Sequence, residues 1–148
     1  YGRGHRVISL LITNMNTLNN LVRAGAFEEY TAGHGGRLRG SVIRTESRFL
    51  NAVPLERYVE KLPADCTAVI APVEAFGNRL YKILKALRPE AALIPWCYPL
   101  HDYAAAAGIP FMRQDFRSLA ETAVKMLQDQ LQGMPVSNSF VPYIFNRS

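Results

Sequence analysis

Four short strand-like runs, the first almost wholly apolar, each separated from the next by a segment of helical period, limit what this chain can fold into. The first is Val7 to Thr13, VISLLIT, which lacks the two-residue alternation of a half-solvated strand. Such a run fits a central parallel strand covered on both faces. Leu38 to Arg44, Ala68 to Ala71 and Ala91 to Cys97 supply three more. Between the first two, Leu18, Leu21, Val22, Gly25, Ala26 and Tyr30 recur on helical spacing from Leu18 to about Ala32. Asn14, Asn16 and Thr17 offer turn and N-cap chemistry ahead of that helix, and Gly33, His34, Gly35 and Gly36 stop it. Pro54 to Leu62 predicts a short helix opening on proline. Glu74 to Leu87 predicts an amphipathic helix on Phe76, Leu80, Ile83, Leu84 and Leu87, ended by Arg88-Pro89. Strict alternation of strand and helix predicts an α/β fold: a doubly wound, mainly parallel sheet with helices on both faces and right-handed crossovers.

From Tyr98 to Pro110 the rhythm breaks, with Pro99, the alanine run Ala104 to Ala107, Gly108 and Pro110. A long helix is expected next, Phe116 to Gln132, with Leu119, Ala120, Ala123, Val124, Leu127 and Leu131 on one stripe and Gly133 and Pro135 at its end. Phe140 to Phe145 reads as a last strand. Opening on a strand and closing on a helix and a strand, residues 1–148 read as a single lobe of a two-lobed α/β binding protein.

At 148 residues, 49% hydrophobic and 20% charged, the chain has room for one sizeable core and is not of disordered composition. No apolar run approaches the roughly 20 residues that span a bilayer, so no membrane partner is expected. The basic start, Tyr1 to Arg6, precedes a strand too short for a secretory signal, and a cytoplasmic location is expected. Cys66 and Cys97 each edge an apolar strand and read as buried reduced thiols. The net charge of +5 is spread along the chain; Arg79, Lys82 and Lys85 share one helix side, a solvated face, and no nucleic-acid-binding pattern is present.

Chemistry is not signalled either. There is no Gly-x-Ser-x-Gly elbow, phosphate loop, His-Glu-x-x-His or Cys-x-x-Cys, and Glu28-Glu29 is a surface pair. No catalytic residue, metal or cofactor is therefore expected, and the chain is read as a binder rather than an enzyme.

In open α/β sheets ligands bind beyond the carboxyl ends of the strands. That rule nominates Asn14, Asn16, Asn19 and Arg23 after the first strand, Arg44 after the second, Glu74 after the third, and Tyr98, His101 and Asp102 after the fourth. Amides, arginines, carboxylates and an aromatic ring suit a polyhydroxylated ligand, whose hydroxyls donate and accept and whose apolar face a flat ring covers. Arg23 is electrostatically out of place early in a helix. An anionic or hydroxyl-rich ligand or a neighbouring carboxylate would resolve that, the alternative being a solvated or salt-bridged residue. His5 reads as structural, His34 as exposed in a glycine-rich turn, and Trp96 as core, interface or ligand stacker.

Five segments stand in a familiar order: GHRVISLLI, RAGAFEEYTAGHG, CTAVIAPVEAFGNRLYKILKAL, PFMRQDFRSLAETAVKMLQDQLQG, and a closing strand ending in Asn146-Arg147-Ser148. In that order, over nearly the whole chain, the sequence resembles the C-terminal part of the sensor region of LacI/GalR-family (lactose-repressor-type) transcription regulators, with its periplasmic-binding-protein-like fold. The resemblance implies the ligand-sensing and dimerisation domain of a bacterial regulator, in which a small effector, a sugar or sugar derivative, alters DNA binding. It implies a homodimer, and DNA contact only through a helix-turn-helix module that this sequence does not contain. Arg23, in Arg23-Ala24-Gly25-Ala26-Phe27, matches the family's ligand-contacting arginine in Arg-x-x-Gly-Phe, with Ala26 in place of the glycine. In the family the chain crosses back near Met112 to Asp115 and its next helix packs on the other lobe. Residues 112–135 are accordingly expected to pack on a lobe that this sequence does not contain, on this lobe, or on a second copy.

Two departures stand out. The family's Asn-Asp after its third strand is Pro72-Val73-Glu74 here, and Gly-Phe/Tyr-Asp after the fourth is Trp96-Cys97-Tyr98-Pro99. Glu74 or Asp102 would have to stand in for the missing acids. Two other readings stay open: a solute-binding protein of a transport system, and a dimerisation module with a degenerate pocket.

Overall fold

The apolar runs do pair side by side. A computed structural model of the chain describes residues 4–13, 18–45, 54–71, 77–96, 104, 108–135 and 141–146. Four strands form a parallel sheet: β1 (Val7–Thr13), β2 (Arg39–Thr45), β3 (Ala68–Ala71) and β4 (Ala92–Pro95), in the order β2-β1-β3-β4. The most apolar run, β1, is central, where both its faces need cover. The register aligns Leu10 with Val42 and Ile70, and Ile70 with Ile94, so residues of one parity share one face.

On that face lies α1 (Leu18–Ala32), with Leu10, Ile12 and Ala24 packed together and Phe27, Val42 and Ile70 against them. On the other face α2 (Leu55–Glu60) and α3 (Gly77–Leu87) bury Leu55, Tyr58, Val59, Leu80 and Leu84 against Leu11, Val69 and Leu93. Helices on both faces of a parallel sheet make the doubly wound α/β fold that the sequence predicts. Cys66 is buried in this second core, its thiol bonded to the Ala68 carbonyl at 3.3 Å. Arg79 and Lys82 lie on an exposed face, Arg79 at 3.6 Å from Glu56.

The core face of α1 differs from expectation. Leu18, Leu21, Val22 and Tyr30, the residues of helical spacing, are exposed, and the buried residues are Asn20, Ala24 and Thr31. The physical reason is closeness. A Cβ built on Gly40 of β2 would stand 2.6 Å from two Thr31 side-chain atoms, so α1 seats small or hydrogen-bonding residues there. The Thr31 hydroxyl donates back to the Phe27 carbonyl at 3.0 Å, which lets it enter an apolar contact. His34, expected to be exposed, is half-buried, its Nδ1 donating to the Tyr30 carbonyl at 2.7 Å.

The segment read as a crossing contains a strand. β5 (Phe111–Gln114) pairs antiparallel with β6 (Tyr143–Asn146), and Met112 forms a parallel bridge with Trp96 that joins this pair to the main sheet. The last strand thus lies later than the expected 140–145. Between β5 and β6 runs α4 (Phe116–Leu131), capped by Asp115. None of its residues is buried: Ser118, Thr122, Met126 and Asp129 are half-buried, while Leu119, Val124, Leu127 and Leu131 are exposed, Leu131 at 79%. The apolar stripe named from the sequence is thus exposed on this chain.

Candidate functional site at the carboxyl edge of the sheet

β1 ends at Thr13, β2 at Thr45, β3 at Ala71 and β4 at Pro95, all on one edge because the strands are parallel. Thr13 is anchored from α1: Asn20 Nδ2 donates to its carbonyl at 3.2 Å and to its hydroxyl at 2.9 Å. That pair fixes where the first turn of α1 leaves the sheet, and so where Arg23 is carried.

Arg23 is half-buried, and its guanidinium carbon lies 4.6 Å from the centroid of the Trp96 ring. Trp96 follows Ile94 by two residues and therefore projects from the α1 face, one strand position beyond the end of β4. Tyr143 of β6 meets the indole perpendicularly, with ring centroids 4.4 Å apart. The charge of Arg23, early in a helix, thus faces a π surface, a contact that the sequence did not suggest. A cation–π contact engages the charge of the guanidinium and does not by itself use its N–H donors. No hydrogen bond or ion pair among the described residues uses them.

The other nominated residues divide. Arg44 lies on the α1 face, two residues after Val42, paired in register with Ile12 and exposed. Asn19 is exposed at the start of α1. Neither is joined to Arg23 by a hydrogen bond or ion pair. Asn14, Asn16, Glu74, Tyr98, His101 and Asp102 lie outside the described residues. Sequence reasoning missed Asn20, which does the anchoring, and Tyr143. Asn20 was findable from its phase, since Asn20, Ala24, Phe27 and Thr31 share one helical face. Tyr143 carried no local signal. A shallow cavity of about 260 Å³ lined by Val7, Arg39, Gly40, Ser41, Pro63 and Asp65 opens at the opposite, amino edge, beside the Arg39–Asp65 ion pair. Among the described residues no cluster of metal-ligating side chains occurs, and no helix is long and apolar enough to cross a membrane.

With this geometry the chain matches solved structures at low identity. A LacI family transcriptional regulator from Bifidobacterium animalis subsp. lactis DSM 10140 superposes with a TM-score of 0.77 at 19% identity, over 96% of this chain and 54% of that one. The dimeric Lac repressor with an 11-residue C-terminal deletion gives 0.72 at 16% identity, over 97% and 54%. The fold is the one shared by LacI-type regulators and periplasmic binding proteins. A third structure, a periplasmic binding protein/LacI transcriptional regulator from Alkaliphilus metalliredigens QYMF complexed with D-xylulofuranose, gives 0.70 at 13% identity, over 99% and 57%. The chain therefore spans a little over half the length of the structures it matches. No protein-family model matches the sequence, and no curated protein does. All three structures are described as regulators or binding proteins.

Proposed function

We propose that this chain is the ligand-sensing and dimerisation domain of a cytoplasmic bacterial transcription regulator, holding a small sugar or sugar derivative at the carboxyl edge of its sheet. The observation that carries this reading is Arg23: half-buried, stacked on Trp96 at that edge, with its hydrogen-bond donors unspent among the described residues. A sugar offers acceptor oxygens to those donors and an apolar face to an aromatic ring. Asn19 and Arg44 flank the same edge, and Asn14, Asn16, Glu74, Tyr98, His101 and Asp102 follow the strands in sequence. The sugar in the Alkaliphilus structure supports the ligand class. An effector that binds two arrangements of the sensor with different affinity shifts their populations, and DNA binding by a helix-turn-helix module follows that shift.

The exposed stripe Leu119, Val124, Leu127 and Leu131 of α4 supports a covered face, which we assign to self-association. Leu127→Glu with Val124→Glu should keep the far-ultraviolet dichroism of the folded parent and yield monomers in sedimentation velocity, with an unfolding midpoint that no longer depends on protein concentration. An unaltered mass would place the interface elsewhere. The periplasmic half of the Alkaliphilus description favours one second reading, a transport binding protein; response of a DNA-bound parent protein to ligand separates the two.

The test of the site is calorimetry across a panel of sugars and sugar phosphates. Hydrogen bonds to a charged group contribute about 1.5–3 kcal/mol, so Arg23→Ala should weaken the responding compound roughly 10- to 100-fold. Unchanged affinity would refute the site.

A further inference from the structure

Trp96 stands where four parts of the fold meet. Its ring carries the guanidinium of Arg23 from α1 on one side and meets Tyr143 from β6 perpendicularly. Its amide donates to the Ala71 carbonyl of β3 at 3.1 Å, and its backbone bridges to Met112 of β5. The stack on this indole is the one interaction recorded for the Arg23 side chain among the described residues. β5 runs through Asp115 directly into α4, whose far end leads back to β6. One aromatic ring therefore lies between the arginine of the candidate site and the strand pair that brackets α4.

We propose that Trp96 is the positioning residue of this site: it orients Arg23 at the carboxyl edge and, through Tyr143, couples the position of that arginine to the seating of β6. A guanidinium stacks on indole as an ammonium does not, since it is planar and weakly hydrated. A perpendicular ring pair is directional, so movement of the indole is felt by the partner ring. The consequence for sensing rests on the effector reading given above: a compound that engages Arg23 pulls on the indole, and the β5–β6 pair moves with it. The coupling itself exists without any effector.

The experiment uses the 148-residue chain with no ligand, and Trp96 is its single tryptophan, so intrinsic emission reports this ring alone. Arg23→Ala, Tyr143→Leu and the double variant are compared by urea unfolding followed by far-ultraviolet dichroism, with emission and acrylamide quenching read in parallel. The expected result is a shifted emission maximum and faster quenching in both single variants. It also includes a double variant whose unfolding constant departs from the product of the single effects by about threefold or more, a coupling normal for residues sharing a partner. Arg23→Lys keeps the charge and should show the same loss of coupling as Arg23→Ala. Trp96→Phe retains a π face and should restore most of the coupling, where Trp96→Leu abolishes it. Single effects that multiply within the error of the measurement, or an emission spectrum indifferent to Arg23→Ala, would overturn the proposal on the parent background alone. That result leaves the effector reading standing, because the latter falls only if Arg23→Ala keeps full ligand affinity.

Discussion

Replacing Gly40 by alanine sets two physical effects of opposite sign against each other. Gly40 sits in β2 with ordinary strand backbone, since it is not among the positive-φ glycines. On conformational entropy alone, alanine there should stabilise the protein by about 0.5–1 kcal/mol, because the unfolded chain loses freedom it would otherwise surrender on folding. Packing opposes this. The added Cβ would lie 2.6 Å from both Thr31 Cγ2 and Thr31 Oγ1 and 2.9 Å from Phe27 Cε1. Carbon atoms rest at about 3.5–4.0 Å, so α1 has to retreat by roughly 1 Å or Thr31 has to abandon its rotamer and its bond to the Phe27 carbonyl. Overpacking of this kind costs about 1–3 kcal/mol. The net expectation is a loss of roughly 0.5–2 kcal/mol, which at a urea slope of about 1.5 kcal/mol/M lowers the midpoint by about 0.3–1.3 M. Thr31→Ala removes both 2.6 Å contacts and should recover most of that loss in the double variant. Because α1 carries Arg23, Gly40→Ala should also alter Trp96 emission while the double variant should not. A Gly40→Ala protein as stable as the parent, or more so, would refute the claim that α1 packs this closely on β2.

Two further perturbations test the site's scaffold. Asn20→Leu keeps the volume but leaves the buried Thr13 carbonyl and hydroxyl without their donor; a cost of about 1–3 kcal/mol should lower the melting temperature by roughly 3–8 °C, and an unchanged melting curve would show that this anchor is dispensable. Asp115 accepts from the Ser118 amide at 3.1 Å and the Ser118 hydroxyl at 2.8 Å, which together hold its carboxyl below the ordinary 3.8. Since the folded value lies below the unfolded one, the stabilisation from this cap is complete above about pH 4 and is lost as the pH falls through the folded value. Asp115→Asn should therefore flatten the acid limb of the melting temperature between about pH 2 and 5; parallel curves for parent and variant would argue against the cap.

The fold class and the succession of strands and helices along the chain were legible because they depend on local quantities. A run of apolar residues with no alternation, as in β1, declares a strand covered on both faces, and helical segments between strand-like runs declare crossovers, so the succession of strands and helices follows from residue spacing. Arg23 was legible for a similar reason: a cation near a helix N-terminus is a local anomaly, visible without coordinates. What answers that anomaly was not visible. Trp96 stands 73 residues later in the chain, just past β4, and Tyr143 in a strand later still, and no periodicity links α1 to either.

The faces of α1 and α4 were also decided by tertiary contact. Apolar spacing marks a stripe but does not say against what it packs. On α1 the face turned to the sheet is that of Asn20, Ala24 and Thr31, with Thr31 against Gly40, so the leucines and Tyr30 of the stripe turn outward. On α4 the stripe is intact and uncovered, since within the chain the helix is approached from the side of Ser118, Thr122, Met126 and Asp129. Pattern along the chain thus determined which elements form and in what order, because hydrogen bonding and propensity act between near neighbours. Which side of each helix is buried, and which ring meets the lone arginine, depended on distances between residues remote in sequence, and only the folded structure sets those.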